Sequence, residues 1–215
     1  MACRALKHHR HRDRIEPRPG KLQGVPGGIS LGCPTTPCED QTVKQQSIGF
    51  AFLVAHLWAM MIFLGGICAV TFVIHPNVFH DVPRSLEATM TFAVARGPSD
   101  FLGPVGLVAI LTGIVSVILG WRVRAARYWI LCGVVLLVVG EIVFSILFFW
   151  PRNTIMFVEG TKVHPVGVVE RAAWEFQAGH WLRLALAAAA AASSFLGFLD
   201  FYRHRISSQV ATAME

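Results

Sequence analysis

Four uninterrupted apolar runs decide most of what this chain can become. Residues 48–74, 101–121, 128–150 and 181–202 each hold enough consecutive apolar side chains to cross, as a helix, a hydrocarbon core about 30 Å thick. Lipid cannot hydrogen-bond an open backbone, so segments of this kind cross as helices with every internal N–H and C=O paired along the segment. Charged residues support the same reading. They make up 15% of the 215 residues, against about a quarter in a soluble domain, and the mean hydropathy is +0.54. A soluble enzyme core is excluded. The predicted fold is all-α: an integral membrane four-helix up-down bundle over residues 48–205, with the lipid bilayer as its main partner and a short C-terminal tail at 206–215.

Residues 1–47 differ in composition. They carry eight of the nineteen Lys and Arg residues, His8, His9 and His11, and Pro/Gly clusters around Pro17–Gly20 and Pro26–Gly28, with no apolar periodicity. This segment is expected to be a disordered basic cytoplasmic tail. No apolar signal core precedes Ile48, so the first span is expected to serve as the targeting signal. Orientation comes from basic residues: thirteen lie in the tail, the loop 122–127 and the C-terminal segment, and five lie in the two other loops. Both termini are therefore expected on the cytoplasmic side, with the plasma membrane as the expected location. The tail reads as a solvated determinant of topology, and no nucleic-acid partner is expected.

Cysteines give no framework. Cys33 and Cys38 are too isolated for a four-ligand zinc site, and Cys68 and Cys132 are single thiols inside spans. Glycines are more informative. Gly106, Gly113 and Gly120 repeat every seven residues in the second span, and Gly133 and Gly140 do so in the third. Together with the alanine run 187–192 they form narrow stripes of small residues that let helices approach closely.

A charge inside a span is costly, which makes Glu141 and Arg183 functional candidates. On a regular helix Glu141 shares a face with Ser145 and Phe148. A pairing with His56 of the first span would satisfy it, and so would protonation or another hydrogen bond within the bundle. Arg183, one turn inside the outer end of the last span, is placed to snorkel. The densest polar group is Trp174, Gln177, His180, Trp181 and Arg183. If that helix starts near Val168, His180 and Arg183 face the bundle with Ala173, Ala187 and Ala191, while Leu182 and Leu186 face lipid. Pro76 and Pro151 are expected to end the first and third helices. That would free His75, His80, Asp81, Asn153 and His164 to converge with His180 in loops at the outer surface. Their spacing is not that of a dedicated metal site, and no metal or other cofactor is assigned.

Four spans, Trp150-Pro-x-Asn153 at an outer helix end, and His180-x-x-Arg183 opening an alanine-rich last span resemble the anthrone oxygenase-like membrane family, also described as a domain of unknown function. The resemblance covers residues 50–202. Some members of that family are implicated in oxidising anthrones to anthraquinones without a recognised metal or flavin. The long basic tail and Glu141 depart from the family pattern. The resemblance implies a cofactor-independent oxygenase acting on an apolar aromatic small molecule. In that role His180 is the candidate base, Arg183 the candidate oxyanion holder, and Trp174, Trp181 and Asn153 the substrate contacts. The alternatives are a non-catalytic structural or interaction protein of the membrane, in which His180 and Arg183 anchor a helix end, and a metal-binding membrane protein.

Overall fold

Long apolar segments in lipid have one way to pair their backbones, and five helices result in the computed structural model, which describes residues 37–92 and 95–214. Helix α1 covers residues 37–78, α2 covers Arg84–Phe92, α3 covers Pro98–Leu119, α4 covers residues 124–159, and α5 covers Val166–Ala213. Four of them are long and apolar enough to cross a membrane. By that length and composition the chain is a multi-pass integral membrane protein. The expected tail lies outside the described residues up to 36; α1 already begins at Pro37, inside the segment expected to be disordered.

Neighbouring helices run antiparallel. Gly49 of α1 lies against Leu119 of α3, while Gly66 lies against Leu102. Across α1 and α5, His56 meets Ser194 and Thr71 meets His180. Across α4 and α5, Gly197 packs on Ile130, Gly133 on Ala190 and Ser194, and Gly140 on Leu186. Leu186 is thus a helix contact, whereas phase counting turns it to lipid. The start of α1 and the end of α5 share one end of the bundle, the terminal end, where Phe50 packs on Phe198, Phe201 and Tyr202. Helix α2 caps the other end, its Leu86 buried in a cluster with Val78, Phe149, Met156 and Val169.

Neither proline ends its helix. Pro76 and Pro151 each follow a π-helical segment, Val70–Ile74 in α1 and Ser145–Phe149 in α4, and a further helical turn follows each. The His75 N–H bonds the Val70 carbonyl and the Trp150 N–H bonds the Ser145 carbonyl, each five residues back. A widened turn moves the preceding carbonyls off the path of the proline ring and leaves one without an α-helical partner, so the missing proline N–H disrupts less. Two more π-helical segments, Val138–Val143 and Thr154–Glu159, lie in α4. Only at Gly160, with φ of +56°, does the chain turn back towards α5.

Candidate functional site: a polar-headed cavity between α3 and α4

Helices α3 and α4 touch where Gly113 faces Val134 and separate towards the α2 end. The gap is a cavity of about 910 Å³ walled by α1, the α2 region and all three later helices. Its walls are mostly apolar, with Phe63, Leu107, Ile110, Ile142 and Phe157 among them. On α3 Gly103 lines it, and a Cβ there would meet nothing within 4 Å.

One side of this cavity is polar. Arg183 of α5 turns inward and pairs with Glu141 of α4, Nη2 to Oε2 at 3.1 Å, with both side chains near 15% exposed. The same nitrogen donates to the Ser145 hydroxyl, and the guanidinium stands 4.4 Å over the Phe149 ring. Arg183 therefore does not snorkel outward. A carboxylate on the next helix offers a partner that the lipid headgroup region would otherwise supply. Glu141 is not paired with His56. That histidine sits deeper towards the terminal end, where its Nδ1–H donates to the Ala109 carbonyl at 2.8 Å and Nε2 shares a hydrogen bond with the Ser194 hydroxyl at 2.9 Å.

His180, 3% exposed, is held by Thr71 of α1. The Thr71 hydroxyl gives its proton to the Ile67 carbonyl at 2.7 Å, so at 3.0 Å from His180 Nδ1 it can only accept. That arrangement suits neutral His180 with its proton on Nδ1, which leaves a lone pair on Nε2. The His75 ring lies edge-on to His180 at 4.1 Å between centroids, and Phe79, Phe149 and Phe176 surround the two rings. His75, only 7% exposed, also lines the cavity. Three buried polar atoms on this wall have no hydrogen-bond partner among the described residues: His75 Nδ1, Glu141 Oε1 and Arg183 Nε.

The residues singled out from sequence divide in two. His180, Arg183, Asn153 and Glu141 line the cavity together with His75. Trp174 and Trp181 do not. They are 70% and 53% exposed on the outer face of α5, and Trp181 packs edge-on against Phe72. The helix turns 100° per residue, so a phase that buries His180 must turn its neighbour Trp181 away. The other loop residues do not converge. His80 bonds the Asn77 carbonyl in its own turn, and His164 reaches Glu159 at 2.5 Å. Among the described residues no three His, Cys, Asp or Glu side chains are grouped to hold a metal ion.

Sequence reasoning missed two contributors. Thr71 carries no signal of its own, because a threonine in an apolar helix is commonly satisfied by its own i−4 carbonyl. Glu175 of α5 accepts from Arg152 of α4 at 2.7 and 2.9 Å and from Arg171 at 3.2 Å, binding α4 to α5 in a region expected to be loops. Only the charge pattern around Trp174 points to it. Compared with known protein families, curated proteins and solved structures, the chain matches none.

Proposed function

We propose that this protein binds an apolar aromatic small molecule in the cavity between α3 and α4 and abstracts a proton from it, as an oxygenase of the anthrone type. The observation that carries this reading is the gathering of His75, Glu141, Ser145, His180 and Arg183 among the residues that line an otherwise mostly apolar cavity. A few polar groups on an apolar wall are what orients a small molecule in such a site. In this proposal the helices cross in up-down order, the terminal end faces the cytoplasm at the plasma membrane, and the cavity lies in the outer half.

The chemistry needs few parts. His180 Nε2 takes a proton from the acidic methylene of an anthrone, leaving an anthrolate whose oxygen Arg183 stabilises. The carbanion carbon bonds to dioxygen, the resulting peroxide regains the proton from the His180 imidazolium, and loss of water leaves the second carbonyl of the quinone. One dioxygen is consumed and one water released per substrate. Asn153 is a further polar contact for the ligand. Trp174 and Trp181, exposed on the outer face of α5, are given no part in binding.

Oxygen uptake by the purified protein with an anthrone tests this. The wild type should exceed the uncatalysed rate, and His180→Ala should lower turnover about 100-fold or more, while Trp174→Ala changes it little. Absence of uptake above background with any anthrone would favour a structural reading, in which the Glu141–Arg183 pair serves only to join α4 to α5.

A further inference from the structure

A second, smaller pocket of about 250 Å³ lies at the terminal end of the bundle, remote from the cavity described above. It is too small for a drug-sized ligand, whose sites run roughly 300–1,000 Å³. Its floor is apolar, formed by Leu119, Val123 and the buried Phe201. Gly120 shapes it: a Cβ there would stand 3.2 Å from the Phe201 ring, so glycine lets the α3–α4 turn close onto α5.

The rim is cationic. Arg122, His204 and Arg205 line it with the amides of Gln45 and Gln46, and among the described residues no acidic one does. Asp200, one turn before His204 on α5, is not in the wall. Among the described residues none of the three basic side chains has an ion-pair partner. The Arg205 guanidinium rests 4.7 Å over the Phe50 ring, an arrangement that fixes its position and leaves its N–H edge free to bind an anion. Exposed Trp121, Tyr128, Trp129 and Tyr202 surround this end of the bundle. Such aromatic belts mark the depth of lipid headgroups.

We propose that this pocket holds the phosphate headgroup of one anionic phospholipid, bound by Arg122 and Arg205 with Gln45 and Gln46 as neutral donors. A phosphate diester fits because it offers acceptors to both guanidinium groups and carries the charge that the rim lacks. The apolar floor leads from the headgroup to the acyl chains beside α3 and α5. The site stands independently of any activity in the larger cavity.

The test uses the full chain in detergent micelles doped with either phosphatidylglycerol or phosphatidylcholine, read by native mass spectrometry and by melting temperature. The wild type should retain one phosphatidylglycerol and melt higher with it, and should show neither effect with phosphatidylcholine. Arg122→Gln combined with Arg205→Gln should weaken retention roughly tenfold to thirtyfold, since each basic group near the surface contributes about a factor of five. The double lysine variant should keep most of the binding. Equal retention of both lipids by the wild type would overturn the proposal, and that comparison needs no variant to fold. Stabilisation by millimolar inorganic phosphate equal to that by phosphatidylglycerol would also overturn it, by assigning the pocket to a soluble phosphate.

Discussion

At the level of His56 both ring nitrogens are engaged, by the Ala109 carbonyl and the Ser194 hydroxyl, while at the level of His75 and His180 a ring nitrogen, a carboxylate oxygen and a guanidinium nitrogen have no hydrogen-bond partner among the described residues. Backbone geometry differs in the same way. In the terminal half Gly113, Gly133 and Gly197 press against Val134, Ser194 and Ile130, with room for no added carbon. In the α2 half Gly66 and Gly179 still press against Leu102 and Phe148, but Gly103 of α3 has open space at its Cβ position, and all four π-helical segments of the described residues occur there. The contrast teaches that the two halves serve different ends. Close packing with satisfied polar groups joins all the long helices in the terminal half, whereas in the α2 half α3 and α4 stand apart around a polar-walled cavity. π-helical segments are frequent at functional sites for a related reason: the extra residue re-aims side chains without ending the helix.

The contrast is broken most strongly at the ion pair. Arg183→Met alone leaves Glu141 buried without its cation, and Glu141→Leu alone strands the guanidinium; each should cost about 3–5 kcal/mol. The double variant should recover most of the loss, because two apolar side chains there bury nothing unpaired. Thermal melts of the four proteins in one detergent form the cycle that checks it. Additive losses would mean that the two charges do not interact.

Next in size is Gly113→Leu. A Cβ at that position would come within 2.5 Å of Val134 Cγ2 and 2.9 Å of His56 Cε1. Overpacking of this kind costs about 1–3 kcal/mol, and the melting temperature in detergent should fall accordingly. An unchanged melt would show that α1, α3 and α4 are not packed as tightly as described. The smallest effect belongs to Trp174→Ala. This side chain touches neither half's core, so stability should change by no more than about 0.5 kcal/mol. A larger loss would place Trp174 against a surface that the monomer does not contain.

Much of the fold is legible in the sequence, because the bilayer enforces a simple code. Apolar runs of sufficient length must be helical, and stripes of small residues mark where helices meet, as Gly113 and Gly133 do. The inward face of His180 is also legible, since α5 is a regular helix from Val166 onward and its phase can be counted. In α4 that counting fails. Its π-helical segments have no residue signature, and each extra residue rotates the remainder of the helix by about 100°. Phe148, expected beside Glu141, instead packs against Gly179 and beneath the Arg152 guanidinium. The partner of Glu141 is hidden for a different reason: a buried carboxylate announces that it needs a partner but not which one. His56 is already satisfied by a carbonyl and a hydroxyl that no pattern reveals.

The proposed filling of the α2-half cavity by a ligand is most directly tested at Gly103. Gly103 lines the cavity and its Cβ position is open, so Gly103→Leu should fold with a melting temperature within a few degrees of the wild type, its side chain expected to take ligand space. Titrating an anthrone without oxygen, so that binding is read apart from turnover, should raise the wild-type melting temperature as ligand exceeds its dissociation constant. That rise is expected in the wild type and none in Gly103→Leu. An equal rise in both proteins, or none in the wild type, would contradict it.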